Sequence, residues 1–138
     1  MEATPAPASV DVLLIDNDPD VSELLRMFLH QSGLSVEVLR SGEEGLAFLA
    51  SGRGAGLVLL DLRMPGMGGL AFLEACLERW GTQELPPVVV VSGFLTDADR
   101  ERLAGTSLVR AVFQKPFDLL ELGRAVQDLL SGAAGKGT

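Results

Sequence analysis

Short, largely apolar runs alternate along the chain with longer stretches in which apolar residues recur every three or four positions. The runs fall at residues 10–15, 35–39, 57–60, 88–91 and 111–113. A strand covered on both faces carries apolar side chains at successive positions, so these five runs read as buried parallel strands with helices on either side. In such sheets ligands bind beyond the carboxyl ends of the strands, where the strand order reverses.

Between the first two runs, Val21, Leu24, Leu25, Phe28 and Leu29 have the spacing of one helix face, and Gly33 follows as a stop signal. Ser41 and Glu44 have capping-box spacing and predict the start of a second helix. Leu70, Leu73, Leu77 and Trp80 mark a third helical face. Asp118 with Glu121 opens a fifth helix, carrying Leu122, Val126 and Leu129. The fourth helical stretch, residues 96–103, is mostly charged, with Ala98 and Leu103 as its main apolar residues. So little burial predicts a short, mobile helix.

The chain has 138 residues, 47% of them apolar and 22% charged, enough for one domain with its own core. Residues 10–130 are expected to form that domain, with the Ala- and Pro-rich residues 1–9 and the Gly- and Ala-rich residues 131–138 as flexible tails. A net charge of −8 with scattered cations argues against a nucleic-acid surface. The lone Cys76 excludes an intramolecular disulfide and a cysteine metal site. No apolar run approaches the roughly 18 residues of a membrane span, and no signal-peptide pattern opens the chain, so a cytoplasmic protein without membrane contact is expected.

Candidate chemistry gathers at the strand ends. Asp16-Asn17-Asp18 follows the first strand, Asp61 ends the third, Ser92-Gly93 ends the fourth, and Gln114-Lys115-Pro116-Phe117 ends the fifth. Clustered carboxylates repel unless a cation joins them, and hard oxygen ligands suit Mg2+ with retained waters. A carboxylate can form an acyl phosphate, with Lys115 neutralising phosphoryl charge and the Ser92 hydroxyl donating a hydrogen bond. Each residue also has a plainer reading, since strand-end Asp residues often cap the following helix. His30 reads as a helix-end or solvent-exposed residue, Trp80 as packing, and the segment from Met64 to Met67 as a loop.

These segments together resemble a response-regulator receiver domain of two-component signalling, from Val10 to about Leu130. The resemblance is carried by Val-Leu-Leu-Ile-Asp-Asn-Asp-Pro-Asp at 12–20, Leu-Val-Leu-Leu-Asp-Leu-Arg-Met-Pro-Gly-Met at 57–67, Val-Val-Val-Val-Ser-Gly at 88–93 and Lys-Pro-Phe at 115–117. It implies a single doubly wound, flavodoxin-like (βα)5 domain with a five-stranded parallel sheet in the order 2-1-3-4-5 and helices on both faces. It further implies phosphorylation of Asp61, with Ser92 and Lys115 assisting, and Mg2+ held by Asp16, Asp61 and the Arg63 backbone carbonyl. The Lys115-Pro116 bond is expected to be cis. The implied phosphodonor is a sensor histidine kinase or phosphotransfer protein, and output goes through a downstream protein partner or a homodimer. Such a domain signals, and assists only its own phosphorylation and dephosphorylation.

Three positions depart from the family pattern. Asn17 stands where the acidic pair usually has a second carboxylate, so Mg2+ is expected to bind weakly or through water there, with Asp18 tuning the field without coordinating. Gly68 removes the usual helix-start carboxylate. Val112 replaces the aromatic residue of the common switch, and Phe113 should face the opposite side of its strand. Asn17 and Val112 motivate an alternative, a degenerate receiver acting as a phosphorylation-independent interaction module. A remoter alternative is a haloacid-dehalogenase-like phosphatase built on Asp16, Asp18, Ser92 and Lys115, which leaves Asp61 without a role.

Overall fold

The computed structural model describes residues 9–132. The expected tails at 1–9 and 131–138 lie almost wholly outside that range. Five β-α units follow in order: β1 Val10–Ile15, α1 Pro19–Gln31, β2 Val36–Leu39, α2 Gly42–Ala50, β3 Ala55–Asp61, α3 Gly69–Trp80, β4 Val88–Ser92, α4 Asp97–Ala104, β5 Val109–Gln114 and α5 Leu119–Leu130. A short 3-10 turn at Thr82–Glu84 joins α3 to β4. The strands form one parallel sheet in the order β2-β1-β3-β4-β5, as the resemblance implied.

The largely apolar strand runs follow from this layering. On one face Leu13, Ile15, Val58, Leu60, Val88 and Val90 pack with Phe48 of α2 and with Phe72, Leu73 and Cys76 of α3. On the other, Val12, Leu14, Leu57, Leu59, Val89 and Val91 pack with Leu25 and Leu29 of α1 and Leu122 and Val126 of α5. Successive residues thus enter different cores, which the period-two alternation of side chains requires. Burying a Val or Leu side chain contributes roughly 1.5–3 kcal/mol, so both layers support the central strands.

Several details differ from the sequence expectation. Leu24 is 53% exposed, because it lies at the edge of the α1 stripe that Leu25 and Leu29 bury. The deepest residues of α3 are Phe72, Leu73 and Cys76, while Leu70, Leu77 and Trp80 are partly buried. Ala98 of α4 is exposed, and Leu103 is the apolar residue that ties the helix to the sheet.

The caps also differ. Ser41 Oγ accepts from Glu44 N at 3.1 Å, but the Glu44 carboxylate accepts from Arg40 N rather than Ser41 N. Asp118 caps α5 by accepting from the N–H groups of Leu120 and Glu121. The reciprocal capping box lies instead on α4, between Thr96 and Asp99. Gly68, at the N-cap of α3, makes no side-chain cap bond, as its missing side chain dictates.

Candidate functional site

The carboxyl ends of β1, β3, β4 and β5 bring Asp16, Asp61, Ser92 and Lys115 to one edge of the sheet. Pairing places β1 between β2 and β3, and β4 between β3 and β5, so the first and third strand ends are neighbours. Asp16 is wholly buried and Asp61 is 5% exposed. The Lys115 ammonium donates to Asp16 Oδ2 at 3.3 Å and lies 3.9 Å from Asp61 Oδ2. The Asp18 N–H occupies Asp16 Oδ1 at 2.8 Å, and the Arg63 N–H reaches Asp61 Oδ1 at 3.3 Å. The Lys115-Pro116 bond is cis, as expected, and Lys115 N extends the β4–β5 ladder to Ser92 O at 2.8 Å.

One ammonium therefore serves two buried carboxylates. Burial, reinforced by the charge of Asp16, raises the Asp61 pKa from 3.8 to about 6, against the opposing pull of Lys115 and the Arg63 N–H. The site retains an excess of negative potential that a further cation would relieve. The ligand set that the resemblance implies, Asp16, Asp61, Asn17 and the Arg63 carbonyl, consists of hard oxygen donors, the chemistry that suits Mg2+ with several waters kept, and Asn17, Asp61 and Arg63 all line one cleft. Among the described residues no group of three or more His, Cys, Asp or Glu side chains is placed to hold a metal ion.

A cleft of about 520 Å³ opens over these residues, lined by Asn17, Asp61, Arg63, Phe94 and Lys115 among others. Asp61 faces the cleft, whereas Asp16 lies behind it. Asp18 borders the cleft too, but its carboxylate accepts from Asp20 N and Val21 N as the N-cap of α1, which leaves the same oxygen engaged away from Asp61. Ser92 is fully buried, and its hydroxyl donates to the Phe94 carbonyl at 3.1 Å rather than to Asp61. The expected convergence of four groups is thus present for Asp16, Asp61 and Lys115, while the Ser92 hydroxyl is turned aside.

The position of Asp61 depends on close packing beneath the β3–α3 loop. A Cβ at Gly69 would lie 2.7 Å from the Asp61 carbonyl oxygen and 2.9 Å from Leu62 Cα. Gly66, at φ +74°, supplies the left-handed turn in the same loop.

The Arg63 side chain was not singled out from sequence. Its guanidinium pairs with Asp99, 36 positions away, donates through Nε to Phe94 O at 3.4 Å, and stands 5.4 Å from the Phe94 ring centroid. Asp99 also accepts from Thr96 N at 2.9 Å. That backbone bond is the main reason its pKa lies below the ordinary value, with the Thr96 hydroxyl and Arg63 adding to it against burial. Thr-x-x-Asp spacing marks the cap in the sequence. The ion pair has no local signature.

The remaining candidates fall away from the cleft. His30 is exposed in the last turn of α1. Trp80 is half-buried beneath Arg79, whose guanidinium carbon is 5.3 Å from its ring. Val112 is 37% exposed on the α4 side of β5, and Phe113 packs with the opposite core beside Phe117, so the alternation argument holds. No helix among the described residues is long and apolar enough to cross a membrane.

Comparison with known proteins gives this geometry a family. The model of the response regulator receiver domain matches residues 12–127. The response regulator MprA of Mycobacterium tuberculosis is 38% identical over 123 residues, covering 88% of this chain and 51% of that protein. The transcriptional activator protein PfeR of Pseudomonas aeruginosa is 36% identical over 121 residues, covering 86% of this chain and 37% of that protein. The chain thus spans about half, or less, of the curated relatives it matches. Among solved structures, the receiver domain of a signal transduction histidine kinase from Syntrophus aciditrophicus superposes with a TM-score of 0.77 at 26% identity, covering 90% of this chain and 92% of that one. A CheY-like receiver domain protein from Methanospirillum hungatei shares the fold, with a TM-score of 0.79 at 22% identity over 93% and 98% of the two chains. The haloacid-dehalogenase alternative gives no part to Asp61, the carboxylate that faces the cleft. The chain belongs to the response regulator receiver domain family of two-component systems.

Proposed function

We propose that this domain accepts a phosphoryl group on Asp61 from the phosphohistidine of a sensor kinase or phosphotransfer protein. The observation that carries the proposal is that Asp61, buried within ion-pair distance of Lys115, is the carboxylate of the pair that lines the open cleft. An ionised Asp61 oxygen attacks phosphorus, the phosphorus–nitrogen bond breaks with its electron pair returning to the imidazole, and an acyl phosphate remains on Asp61. Lys115 holds positive charge beside the new phosphoryl oxygens. The Ser92 hydroxyl turns from the Phe94 carbonyl to donate to one of them. Later attack of water on phosphorus restores the carboxylate and releases inorganic phosphate.

Asp16, Asp61, the Arg63 carbonyl and, more weakly, Asn17 would hold Mg2+. When bound, that ion supplies charge neutralisation and orientation of the transferred group. Asn17 keeps an oxygen donor and removes one charge relative to a second carboxylate, so binding is weak.

A protein phosphodonor fits the surroundings. A largely apolar depression formed by Val21, Leu24, Pro116, Phe117 and Leu119 adjoins Lys115, and exposed Leu24 and Leu120 enlarge the apolar surface beside the site. The net charge of −8 makes this domain a poor nucleic-acid ligand. An output such as the transcriptional activation in the name of PfeR would belong to a partner or to another segment.

The test is incubation with a small acyl-phosphate donor and Mg2+, followed by intact mass measurement. One added phosphoryl group on the wild type and none on Asp61→Asn is the expected result. An unmodified wild type that also ignores beryllofluoride would leave the second reading, a phosphorylation-independent interaction module. Asn17 in the cleft and the aliphatic Val112 favour that reading.

A further inference from the structure

We propose that Arg63 is a positioning residue that carries the state of Asp61 to α4, its guanidinium being shared between the Asp99 carboxylate and a phosphoryl group on Asp61. The proposal rests on the phospho-acceptor reading above and adds a route by which the modification changes the surface.

Arg63 touches both ends of that route. Its backbone N–H donates to Asp61 Oδ1, and its side chain lines the cleft that Asp61 faces. The same side chain holds Asp99 and the Phe94 carbonyl. Asp99 Oδ2 is at once the partner of Arg63 and the acceptor for Thr96 N, so the ion pair and the α4 capping box share one oxygen.

A phosphoryl group changes this balance. It carries nearly two negative charges and three acceptor oxygens, and a guanidinium recognises such a group through paired N–H donors better than it does a single carboxylate oxygen. The Phe94 carbonyl, held now by Ser92 Oγ and Arg63 Nε, would lose both donors as they turn to the phosphoryl group. The segment from Phe94 to Asp99 is then released, and with it the first turn of α4. No aromatic side chain at Val112 is required.

Linkage makes the idea measurable, because breaking the Arg63–Asp99 pair costs affinity for whatever occupies Asp61. The experiment is a double-mutant cycle of Arg63→Gln and Asp99→Asn, with beryllofluoride and saturating Mg2+ as the phosphoryl probe, read by its dissociation constant and by backbone amide shifts. Asparagine keeps an oxygen for the capping box and removes the charge that holds Arg63. Asp99→Asn is expected to tighten beryllofluoride binding about fivefold or more when Arg63 is present, and to have no effect beside Arg63→Gln. In Arg63→Gln the amides of Asp61, Gly93 and Lys115 still move on binding, while those of α4 stay in place.

An equal gain from Asp99→Asn in both backgrounds would show a general charge effect and overturn the shared guanidinium. So would α4 shifts in Arg63→Gln equal to those of the wild type. A wild type that binds no beryllofluoride at all overturns the phospho-acceptor reading itself, a result distinct from binding with additive mutational effects.

Discussion

Lys115 and Asp16 form the shorter ion pair of the site, at 3.3 Å, although Asp16 is the carboxylate covered by the other residues. The ammonium lies 3.9 Å from Asp61, which faces the cleft and is left the less neutralised of the two. Burial and the neighbouring Asp16 charge raise the Asp61 pKa, the more distant Lys115 offsets them only in part, and the carboxylate stays open to a further cation or an incoming phosphorus.

The first consequence is a pH dependence of stability in the absence of divalent cations. The folded-state pKa of Asp61 lies near 6, above its ordinary 3.8, so the folded protein holds this proton through a window in which the unfolded chain has lost it. The contribution to stability is complete below the ordinary value and is lost as pH rises through about 6. At neutral pH, Asp61→Asn should be more stable than wild type by up to about 3 kcal/mol, with the difference vanishing toward pH 4. Thermal melts of both proteins across that range in chelator test this, and an unchanging difference would refute it.

Magnesium should respond to Asn17. Restoring a carboxylate with Asn17→Asp adds a full charge to a half-buried position on the cleft and should tighten Mg2+ binding about tenfold or more. Calorimetric titration of the two proteins measures the change. Equal dissociation constants would remove Asn17 from the proposed ligand set.

Gly69 should tolerate no side chain. Alanine there brings Cβ within 2.7 Å of the Asp61 carbonyl oxygen, a backbone atom that cannot swing aside. Gly69→Ala is expected to cost about 1–3 kcal/mol by denaturant unfolding and to slow phosphorylation by displacing the end of β3. Wild-type stability in this variant would mean that the loop yields easily.

Cys76 should be chemically silent in the folded protein. It is buried in the core beneath α3, and that burial pushes its thiol up to about 12, against a smaller opposing effect of Arg79. A thiol reagent at pH 8 is expected to react only as fast as the domain opens, and stoichiometrically in denaturant. Rapid labelling under native conditions would show that this core is open.

The charged composition of α4 leads to one more measurement. Leu103 is its buried apolar anchor, and side-chain pairs of Asp99 with Arg63, Arg100 with Gln114 and Arg102 with Glu74 add polar attachment to the rest of the fold. Amide hydrogens of α4 should exchange faster than those of α1, which buries Leu25 and Leu29. Equal protection in the two helices would count against the mobile helix expected from the sequence.

Hydrophobic patterning along the chain was enough to read the sheet and the place of the chemistry. Residues such as Val12 and Leu13, or Val89 and Val90, had to be apolar in succession because each faces a different core, and that demand is local enough to read along the chain. Strand ends then located Asp16, Asp61, Ser92 and Lys115, since a parallel sheet delivers all its carboxyl ends to one edge. The family pattern supplied the strand order.

How these groups share their charges and donors follows from packing in three dimensions. That Lys115 leans toward Asp16, that Asp18 spends its carboxylate on α1, and that the Ser92 hydroxyl serves Phe94 all depend on distances of a few tenths of an ångström. The packing of α3 on Phe72 and Cys76 was hidden by a helical stripe that sequence spacing centred elsewhere. The Arg63–Asp99 pair joins residues 36 positions apart, and it exists because β3 and β4 are neighbours in the sheet, which delivers the loop after one strand to the helix that follows the other.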